Sequence, residues 1–330
     1  MKVILKGILK QSTRFRERLY YRCFGKHIHN SGKGNEIIGE LIRQQKPVAI
    51  GKIGSNELKA ILIYNNRYRC NRITVSRILR QSPELATKDI KWLPFYRGNH
   101  QFKYCAGIFP DTPSVFERFS QIYIDSLQEM DLLAVWYNRG EARTIKDFAP
   151  SAQLMNTLKP LEQPYFNHHP WTQHLKNKKV LVVHPFTDTI KYQYHRRHLV
   201  WSNFDQEVLP EFELKTLRVP QNAAVETPWF KDWFETLNYL KHEIMQYEFD
   251  ICIVGAGGWS IPLITYVKSL GKTGIHLGGS TQILFGIKGG RWDLRNKFQL
   301  LYNENWIRVL DSELPDISKV DKINLSDQYW

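Results

Sequence analysis

Two glycine-rich turns carry the residues whose type and spacing best fit a chemical role. The sequence GAGG at 255–258 follows an apolar run at 250–254, and a glycine pair follows a second run at 274–277. A backbone without Cβ atoms approaches a phosphate closely, and a following helix N-terminus offers free N–H groups. The turns therefore predict an anion-binding site built on Gly255, Gly257, Gly258, Gly278 and Gly279.

The glycine pattern departs from the dinucleotide-binding fingerprint. Ile261 stands where a third glycine is expected, and His276 rather than an acidic residue ends the second run. Both departures disfavour a nicotinamide dinucleotide. A structural interpretation also stays open, in which the glycines only permit tight turns between strands and helices.

A third turn, GSNE at 54–57, follows a predicted strand at 47–53. Ser55 or Asn56 is expected to cap the next helix, and a carboxylate in its first turn is favoured by the helix dipole. This electrostatic interpretation is preferred for Glu57. In the alternative, Glu57 points into a cleft as a metal ligand or base.

Three further side chains are candidates for a general base. His184 ends a predicted strand at 179–183, Asp188 follows it, and Glu141 lies in a polar loop after a predicted strand at 131–137. Imidazole titrates near neutral pH and suits proton transfer. A histidine that is simply hydrogen-bonded at a turn is an equally good interpretation of His184.

The elements that must position these residues follow an α/β pattern. The strand at 250–254, a helix at 260–270 closed by Gly271, and the strand at 274–277 form a βαβ unit, whose right-handed crossover places both glycine turns at the carboxyl edge of a parallel sheet. The predicted fold is Rossmann-like, a mostly parallel sheet flanked by helices. Further predicted strands are 107–110 and 214–218, and predicted helices are 36–45, 113–130, 152–158 and 228–246.

Composition restricts the class of partner. The 330-residue chain has a net charge of +14, which favours an anionic partner such as a nucleotide or a lipid head group. Its four cysteines lie far apart and form no disulfide framework or zinc pattern. No apolar run is long enough for a transmembrane segment, and Lys6 and Lys10 interrupt any signal-peptide core. A cytoplasmic location is expected.

The first 34 residues form a basic amphipathic segment that contains one acidic residue, Glu17. Such a segment binds anionic bilayers through charge and shallow apolar burial, which would place the protein at the inner face of the membrane. The alternative is a helix packed on the domain with a solvated basic face. Specific nucleic-acid binding is not expected, because no recognised binding module accompanies the charge.

The chain resembles the bacterial GT-D type glycosyltransferases and their fold-like relatives of cell-surface polysaccharide and glycoprotein synthesis. The resemblance rests on AIGKIGSNEL at 49–58, on 179–186, and on 249–292 with its GAGG, IHLGG, TQILFGIKG and RW sequences. It implies a Rossmann-like fold and transfer of a sugar from a nucleotide-diphosphate donor to a glycan or glycoprotein acceptor. Ser55 and Lys52 replace the aspartate and arginine of the family turn, whereas Glu57 matches its glutamate.

The resemblance also implies roles for individual residues. Glu57 would hold Mn²⁺ or Mg²⁺, which prefer oxygen ligands, and Glu57, His184 and Asp188 are the catalytic candidates. Trp259 and Trp292 are candidates to stack on a sugar or base, and simple packing is an equally good interpretation of both. The expected donor-binding residues are Lys52, Gly54, Ser55, Asn56, Gly255, Gly257, Gly258, His276, Gly278, Gly279, Gln282, Lys288 and Arg291.

Two alternatives to a glycosyltransferase stay open from the sequence. One is a non-catalytic scaffold that binds a nucleotide or glycan, and the other is an enzyme that transfers a different group, such as pyruvyl, to a surface glycan. The expected organisation is a basic segment at 1–34, an N-terminal half at 35–165, a C-terminal half at 166–310 and a polar tail at 311–330.

Overall fold

The protein is built on one eight-stranded parallel sheet. A computed structural model describes residues 2–65, 102–103, 106–221, 228–293, 295–314 and 329, with side chains from residue 11 onward. The strand order is β1-β4-β3-β2-β8-β7-β5-β6, and every pair is parallel. The Rossmann-like α/β fold is confirmed. In this sheet β2 of the 35–165 segment pairs with β8 of the 166–310 segment.

The bounds of the elements are as follows. The strands are β1 Ile28–His29, β2 Val48–Gly51, β3 Leu132–Val135, β4 Gln153–Asn156, β5 Lys179–His184, β6 Glu213–Arg218, β7 Ile251–Val254 and β8 Thr273–His276. The helices are α1 Lys2–Cys23, α2 Ser31–Arg43, α3 Ser55–Tyr64, α4 Pro113–Gln128, α5 Glu141–Phe148, α6 Lys159–Glu162, α7 Thr187–His195, α8 Arg197–Val200, α9 Trp233–Met245, α10 Ser260–Ser269, α11 Ser280–Leu284, α12 Gly290–Asp293 and α13 Asn296–Gln299. Short 3₁₀ turns cover Pro164–Phe166, Trp171–Leu175, Gly257–Trp259 and Asp311–Glu313.

Helices cover both faces of the sheet and form two hydrophobic cores. Helices α3, α4, α5, α9 and α10 pack on one face, and α2, α7, α8 and α11 pack on the other. The central strands β2, β3, β7 and β8 are therefore buried on both sides, which explains their continuous apolar sequences. The chain leaves β7 towards the first face and leaves β5 and β8 towards the second. Crevices for ligands form at the carboxyl ends of strands where such connections diverge.

Three local expectations are wrong. Residues 153–156 form β4 between β1 and β3 rather than part of a helix, because pairing in the sheet overrides local propensity. Residues 107–110 are irregular: Ile108 donates its N–H to the carbonyl of Phe102 rather than to a neighbouring strand. The N-cap of α3 is Gly54 without a side-chain hydrogen bond, so neither Ser55 nor Asn56 caps this helix.

Helix α1 is attached to the domain through its last turns. Glu17 is buried, and its carboxylate accepts the N–H groups of Gly140 at 2.9 Å and Ala142 at 3.1 Å, at the start of α5. Tyr21 is buried in the first core. On the other side of α1, the apolar side chains of Phe15 and Leu19 are 66% and 41% exposed. Among the described residues, no helix is long and apolar enough to cross a lipid bilayer.

Candidate functional site

The site is assembled where four neighbouring strands end. Strand β7 pairs with β8 up to the Val254–His276 pair and with β5 up to the Val183–Val254 pair, so these three strands end at the same height. Strand β2 lies beside β8 and continues directly into Lys52. The parallel arrangement therefore brings both glycine turns, His184 and the turn at 54–57 to one edge of the sheet.

The missing side chain at Gly255 lets the two glycine turns meet. A Cβ atom on Gly255 would lie 2.6 Å from Cδ2 of His184, 2.7 Å from the carbonyl oxygen of Gly278 and 2.9 Å from Oγ1 of Thr281. Any larger residue would push these groups apart. The buried hydroxyl of Thr281 has no hydrogen-bond partner within the described part of the chain, and it lies where the two glycine turns meet.

Lys52 places a buried cation beside these turns. Its Nζ forms an ion pair with Glu162 and lies 5.2 Å from the ring centroid of Trp136. A Cβ atom on Gly278 would lie 3.4 Å from the same Nζ. Burial and then the positive charge of Arg291 lower the pKa of Lys52 to about 7, against the opposing effect of the negative charge of Glu57. Lys52 and Arg291 therefore form a pair of cations that an added anion would stabilise.

Glu57 folds back over the N-terminus of α3. A Cβ atom on Gly54 would lie 2.0 Å from Oε2 of Glu57, so the glycine makes room for the carboxylate. Burial raises the pKa of Glu57, while N–H donors including that of Asn56 and the charges of Lys52 and Arg291 oppose that rise. The position fits the electrostatic interpretation, and it also sets the carboxylate beside the two cations.

Both histidines of the edge are buried and neutral. The pKa of His184 is lowered to about 3 by burial, and its Nδ1 accepts the N–H of Phe186 at 3.1 Å. The pKa of His276 is also lowered to about 3, by burial and then by the charge of Lys52. His276 Nδ1 lies 3.3 Å from the carbonyl oxygen of Val254, which selects the tautomer protonated on Nδ1. His184 is therefore a weak base in this state of the protein.

Asp188 lies on the exposed side of α7. Its side chain is 61% exposed and pairs with Lys191 at 3.1 Å. The N-terminus of α7 is already occupied by the buried carboxylate of Glu313, which accepts the N–H groups of Asp188 at 2.8 Å and Thr189 at 2.9 Å. A phosphate at this helix end would have to displace Glu313.

Glu141 is fully buried at the start of α5. Its carboxylate accepts the N–H groups of Trp136 at 3.0 Å and Asn138 at 3.2 Å. Burial raises the pKa of Glu141 to about 8 against the opposing effect of these donors, and the negative charge of Glu17 contributes in the same direction as burial. This carboxyl group holds together the loop that follows β3.

The last two glycines of the GAGG turn lie against the backbone of Ala106. Cβ atoms on Gly257 and Gly258 would lie 3.2 Å and 2.7 Å from the carbonyl oxygen of Ala106. The neighbouring Trp259 is 2% exposed, stacks on Trp233 and donates its Nε1–H to the Trp233 carbonyl at 3.0 Å. The structure thus separates Gly255, which is buried against the second glycine turn, from exposed Gly257 and buried Gly258, which lie against the backbone of Ala106.

The second glycine turn borders an aromatic recess. Gln282 is fully buried on α11, and Trp292 is 3% exposed on α12. The ring of Tyr329 lies against Trp292 with 5.6 Å between centroids, and Arg291 contacts the Tyr329 hydroxyl. A Cβ atom on Gly279 would lie 2.3 Å from the Tyr329 ring. The predicted donor-binding residues Gly279, Gln282 and Arg291 thus lie around this recess, whereas Lys288 lies over the ring of Tyr302 at 5.5 Å.

A cavity of about 400 Å³ opens at the same edge, beyond the ends of β1 and β4. Its lining includes Ser31, Lys159, Gln163, Phe166 and Lys297. Burial and then the charges of Arg295 and Lys159 lower the pKa of Lys297. Helix α6 connects the cavity to the cation pair, because it carries Lys159 at one end and Glu162 at the other.

The donor set does not fit a divalent metal held by the protein alone. Within the described ranges, no three His, Cys, Asp or Glu side chains cluster as metal ligands. Glu57 provides one carboxylate, and Lys52 and Arg291 act on it with positive charge. A metal ion here would depend on Glu57 and on the phosphates of a ligand.

Comparison of the chain with protein-family models, with curated proteins and with solved structures gives no match.

Sequence reasoning missed several residues of the site. Glu162 is 110 positions from Lys52, and no local pattern links an acidic residue on a short helix to a lysine after a distant strand. Trp136 carried a usable signal, because it directly follows β3 in the parallel sheet. Tyr329 lay in the predicted polar tail and carried no signal.

Proposed function

We propose that the protein is a glycosyltransferase that moves a sugar from a nucleotide-diphosphate donor to a cell-surface glycan or glycoprotein. The reaction takes place in the cytoplasm, at the inner face of the membrane. The support for this proposal is the chemistry of the carboxyl edge together with the resemblance of its turns to GT-D type enzymes.

The cation pair of Lys52 and Arg291 beside Gly278 is the observation that carries the proposal. Sugar transfer leaves a nucleoside diphosphate whose negative charge must be stabilised in the transition state. Lys52, which is buried, and Arg291, which acts on it electrostatically, supply positive charge for the diphosphate, and the bare backbone of Gly278 allows close approach to Lys52. In the unliganded protein Glu162 neutralises Lys52, so diphosphate binding exchanges one anionic partner for another.

A divalent metal ion, expected from the resemblance of the GSNE turn, would supplement the charge of Lys52 and Arg291. A divalent ion would add Lewis-acid stabilisation of the diphosphate, with Glu57 as its protein ligand. Lys52 and Arg291 meet the same electrostatic need from the protein itself. The GSNE turn therefore fits an enzyme in which cationic side chains carry most of the charge stabilisation.

The acceptor is assigned to the 400 Å³ cavity next to the cation pair. Its volume lies within the usual range for small-ligand sites, and it combines an aromatic side chain, Phe166, with the amide of Gln163 and two lysines. This chemistry suits a sugar that carries an acidic group. Because α6 borders both places, a bound acceptor would lie close to the donor diphosphate.

A second candidate function is nucleotide binding without sugar transfer. The observation that favours it is the placement of the three proposed bases: His184 is buried with a pKa of about 3, Asp188 pairs with Lys191 at the surface, and Glu141 is enclosed by backbone donors. In this case the crevice would hold the nucleotide, but no side chain would accept the proton of an acceptor hydroxyl.

The experiment is a thermal-shift panel of UDP, GDP, CDP and TDP, with and without Mn²⁺, on the wild type, Lys52→Met and Glu57→Ala. Saturating ligand at about 100 times its dissociation constant stabilises a protein by about 2.7 kcal/mol, which this method detects. We expect one nucleotide to raise the melting temperature of the wild type and Lys52→Met to lose that rise. Lys33→Met is the matched control, because Lys33 is exposed in an ion pair with Glu36. If Glu57→Ala keeps the shift produced by the nucleotide but loses the additional shift produced by Mn²⁺, Glu57 is identified as a metal ligand.

A further inference from the structure

Tyr329 occupies a recess made by three side chains and two glycines. Its ring lies against Trp292, its hydroxyl accepts a hydrogen bond from Arg291, and its carbonyl oxygen accepts one from Nε2 of Gln282 at 2.5 Å. The recess exists because Gly279 has no side chain: a Cβ there would lie 2.3 Å from the Tyr329 ring. Gly289 likewise leaves room for the backbone of Tyr329, since a Cβ on Gly289 would lie 2.7 Å from the Tyr329 carbonyl oxygen.

The recess has unused hydrogen-bonding capacity. Gln282 is 0% exposed, and its Oε1 has no hydrogen-bond donor within the described ranges. A buried amide oxygen without a donor is unfavourable, and a ligand with an N–H group on its edge would satisfy it. Tyr329 presents only its carbonyl oxygen to this amide and leaves Oε1 unpaired.

The recess is continuous with the cation pair. Gly278 and Gly279 are adjacent, and a Cβ on Gly278 would lie 3.4 Å from Nζ of Lys52. Arg291 contacts Tyr329 and also lies close enough to Lys52 to act on it electrostatically. A ligand with an aromatic ring in the recess would therefore extend its next groups towards Lys52 and Arg291.

From this geometry we propose that the recess is the nucleobase subsite and that Tyr329 is its internal occupant, which must leave before a nucleotide binds. This inference rests on the proposed function, because it assigns the base of the proposed donor. Trp292 supplies the apolar wall, and Gln282 supplies an acceptor and a donor for the base edge. Tyr329 provides an aromatic ring and polar atoms to the same three side chains, so the two occupants exclude one another.

Mutual exclusion has a measurable consequence. When a binding-competent state is fractionally populated, the apparent dissociation constant rises by the inverse of that fraction. Tyr329→Ala removes the ring and is expected to tighten nucleotide binding about tenfold if the docked form dominates by that ratio. Tyr329→Phe keeps the ring but loses the hydroxyl contact with Arg291. Its nucleotide affinity is expected to lie between those of the wild type and Tyr329→Ala.

The test uses the full chain of the wild type, Tyr329→Ala, Tyr329→Phe and the control Tyr192→Ala, whose side chain is exposed on α7. Binding of UDP, GDP, CDP and TDP is measured by calorimetry, and amide hydrogen exchange is followed over residues 278–292 without ligand. The expected result is tighter binding of one nucleotide and faster exchange in Tyr329→Ala, with Tyr192→Ala equal to the wild type.

The outcomes separate this inference from the proposed function. Equal nucleotide affinity in the wild type and Tyr329→Ala would overturn the competition while leaving nucleotide binding in place. Unchanged exchange over 278–292 would overturn the docking of Tyr329 itself. Faster exchange without binding of any nucleotide would overturn the base assignment and the proposed function together.

Discussion

The ammonium group of Lys52 pairs with the carboxylate of Glu162 at the carboxyl edge of the sheet, next to Arg291. Lys52 follows a central strand, whereas Glu162 ends a short helix beside the cavity of about 400 Å³. The pair therefore joins the proposed donor and acceptor sites. It also means that a diphosphate must compete with Glu162 for the same cation.

The affinity for a nucleoside diphosphate should depend on pH through Lys52. Its pKa of about 7 in the free protein means that the ammonium form is present below that pH, and binding above it requires uptake of a proton. Affinity should therefore fall by up to about tenfold per pH unit above neutrality. The measurement is calorimetric titration across this range on the wild type and on Lys52→Arg. Since arginine stays charged, Lys52→Arg should bind with little change over the same range, and an equally steep fall in that variant would exclude Lys52 as the titrating group.

Glu141 should make the fold less stable as the pH rises. Its pKa in the folded protein is raised from 4.5 to about 8. A group of this kind contributes stability that is complete below its unfolded pKa and is lost as the pH rises through its folded pKa. The free energy of unfolding should thus decrease between about pH 5 and about pH 8, by roughly 1.4 kcal/mol per unit of pKa difference as an upper limit.

Glu141→Gln tests this pH dependence. Urea unfolding of this variant should give a flatter profile over the same range, with higher stability than the wild type at the alkaline end. Glu17, whose pKa is also raised by burial, adds a dependence of the same sign, so Glu141→Gln should flatten the curve without removing the slope. A profile identical to that of the wild type would contradict the assignment.

Gly255→Ala should be strongly destabilising. The new Cβ would lie within 3 Å of the His184 ring, the Gly278 carbonyl and the Thr281 hydroxyl, and overpacking of this kind costs about 1–3 kcal/mol or more. The control is Gly32→Ala in α2, where the nearest atom to the added Cβ is Oδ1 of Asn30 at 3.6 Å. Since alanine favours helix, that control should be neutral or stabilising by up to about 1 kcal/mol. Chemical denaturation measures the free energy of unfolding of both variants. Equal values for Gly255→Ala and Gly32→Ala would contradict the close packing of the two glycine turns at Gly255.

Helix α1 should bind anionic membranes with its exposed face. Phe15 and Leu19 are exposed there, next to Arg18 and Arg22, while Glu17 and Tyr21 hold the opposite face to the domain. Vesicles that contain phosphatidylserine should sediment the wild type, and added salt should release it. Phe15→Ser with Leu19→Ser should weaken sedimentation several-fold, since each removes apolar burial in the interface. Met245→Ser is the control, because Met245 is 51% exposed on α9; an equal effect of that control would argue against a specific role for α1.

The sequence predicts the sheet better than it predicts the site. Buried parallel strands have continuous apolar sequences, so β2, β3, β5, β7 and β8 could be located, and the glycine turns after β7 and β8 followed from them. Strand β1 has two half-buried residues, and β4 is exposed at its first residue and half-buried at its last, so neither has a continuous apolar sequence. Their pairing depends on the neighbours that the fold supplies, and a local pattern does not contain that information.

The distant contacts of the site explain what the sequence could not predict. Gly255 and Gly257 are two positions apart, yet one lies against the second glycine turn and the other against the backbone of Ala106. The position of Glu57 in the first turn of α3 fits a carboxylate favoured by its own helix, but its proximity to Arg291 depends on packing between the two halves of the sheet. The same is true of Glu162 and Tyr329, which reach the site from separate segments.

The most direct measurement of the central claim is release of nucleoside diphosphate from a panel of UDP-, GDP-, CDP- and TDP-sugars, in the presence of a cell-surface glycan extract whose hydroxyl groups take the sugar, with the wild type and Lys52→Met. Cation stabilisation of the leaving group predicts release from one class of donor and a loss of about tenfold to a hundredfold in rate for Lys52→Met, the range expected for one charge-assisted hydrogen bond. Lys33→Met should act like the wild type. Nucleotide binding without release from any donor would contradict sugar transfer and support the non-catalytic alternative, and equal rates in the wild type and Lys52→Met would contradict the role of the cation pair.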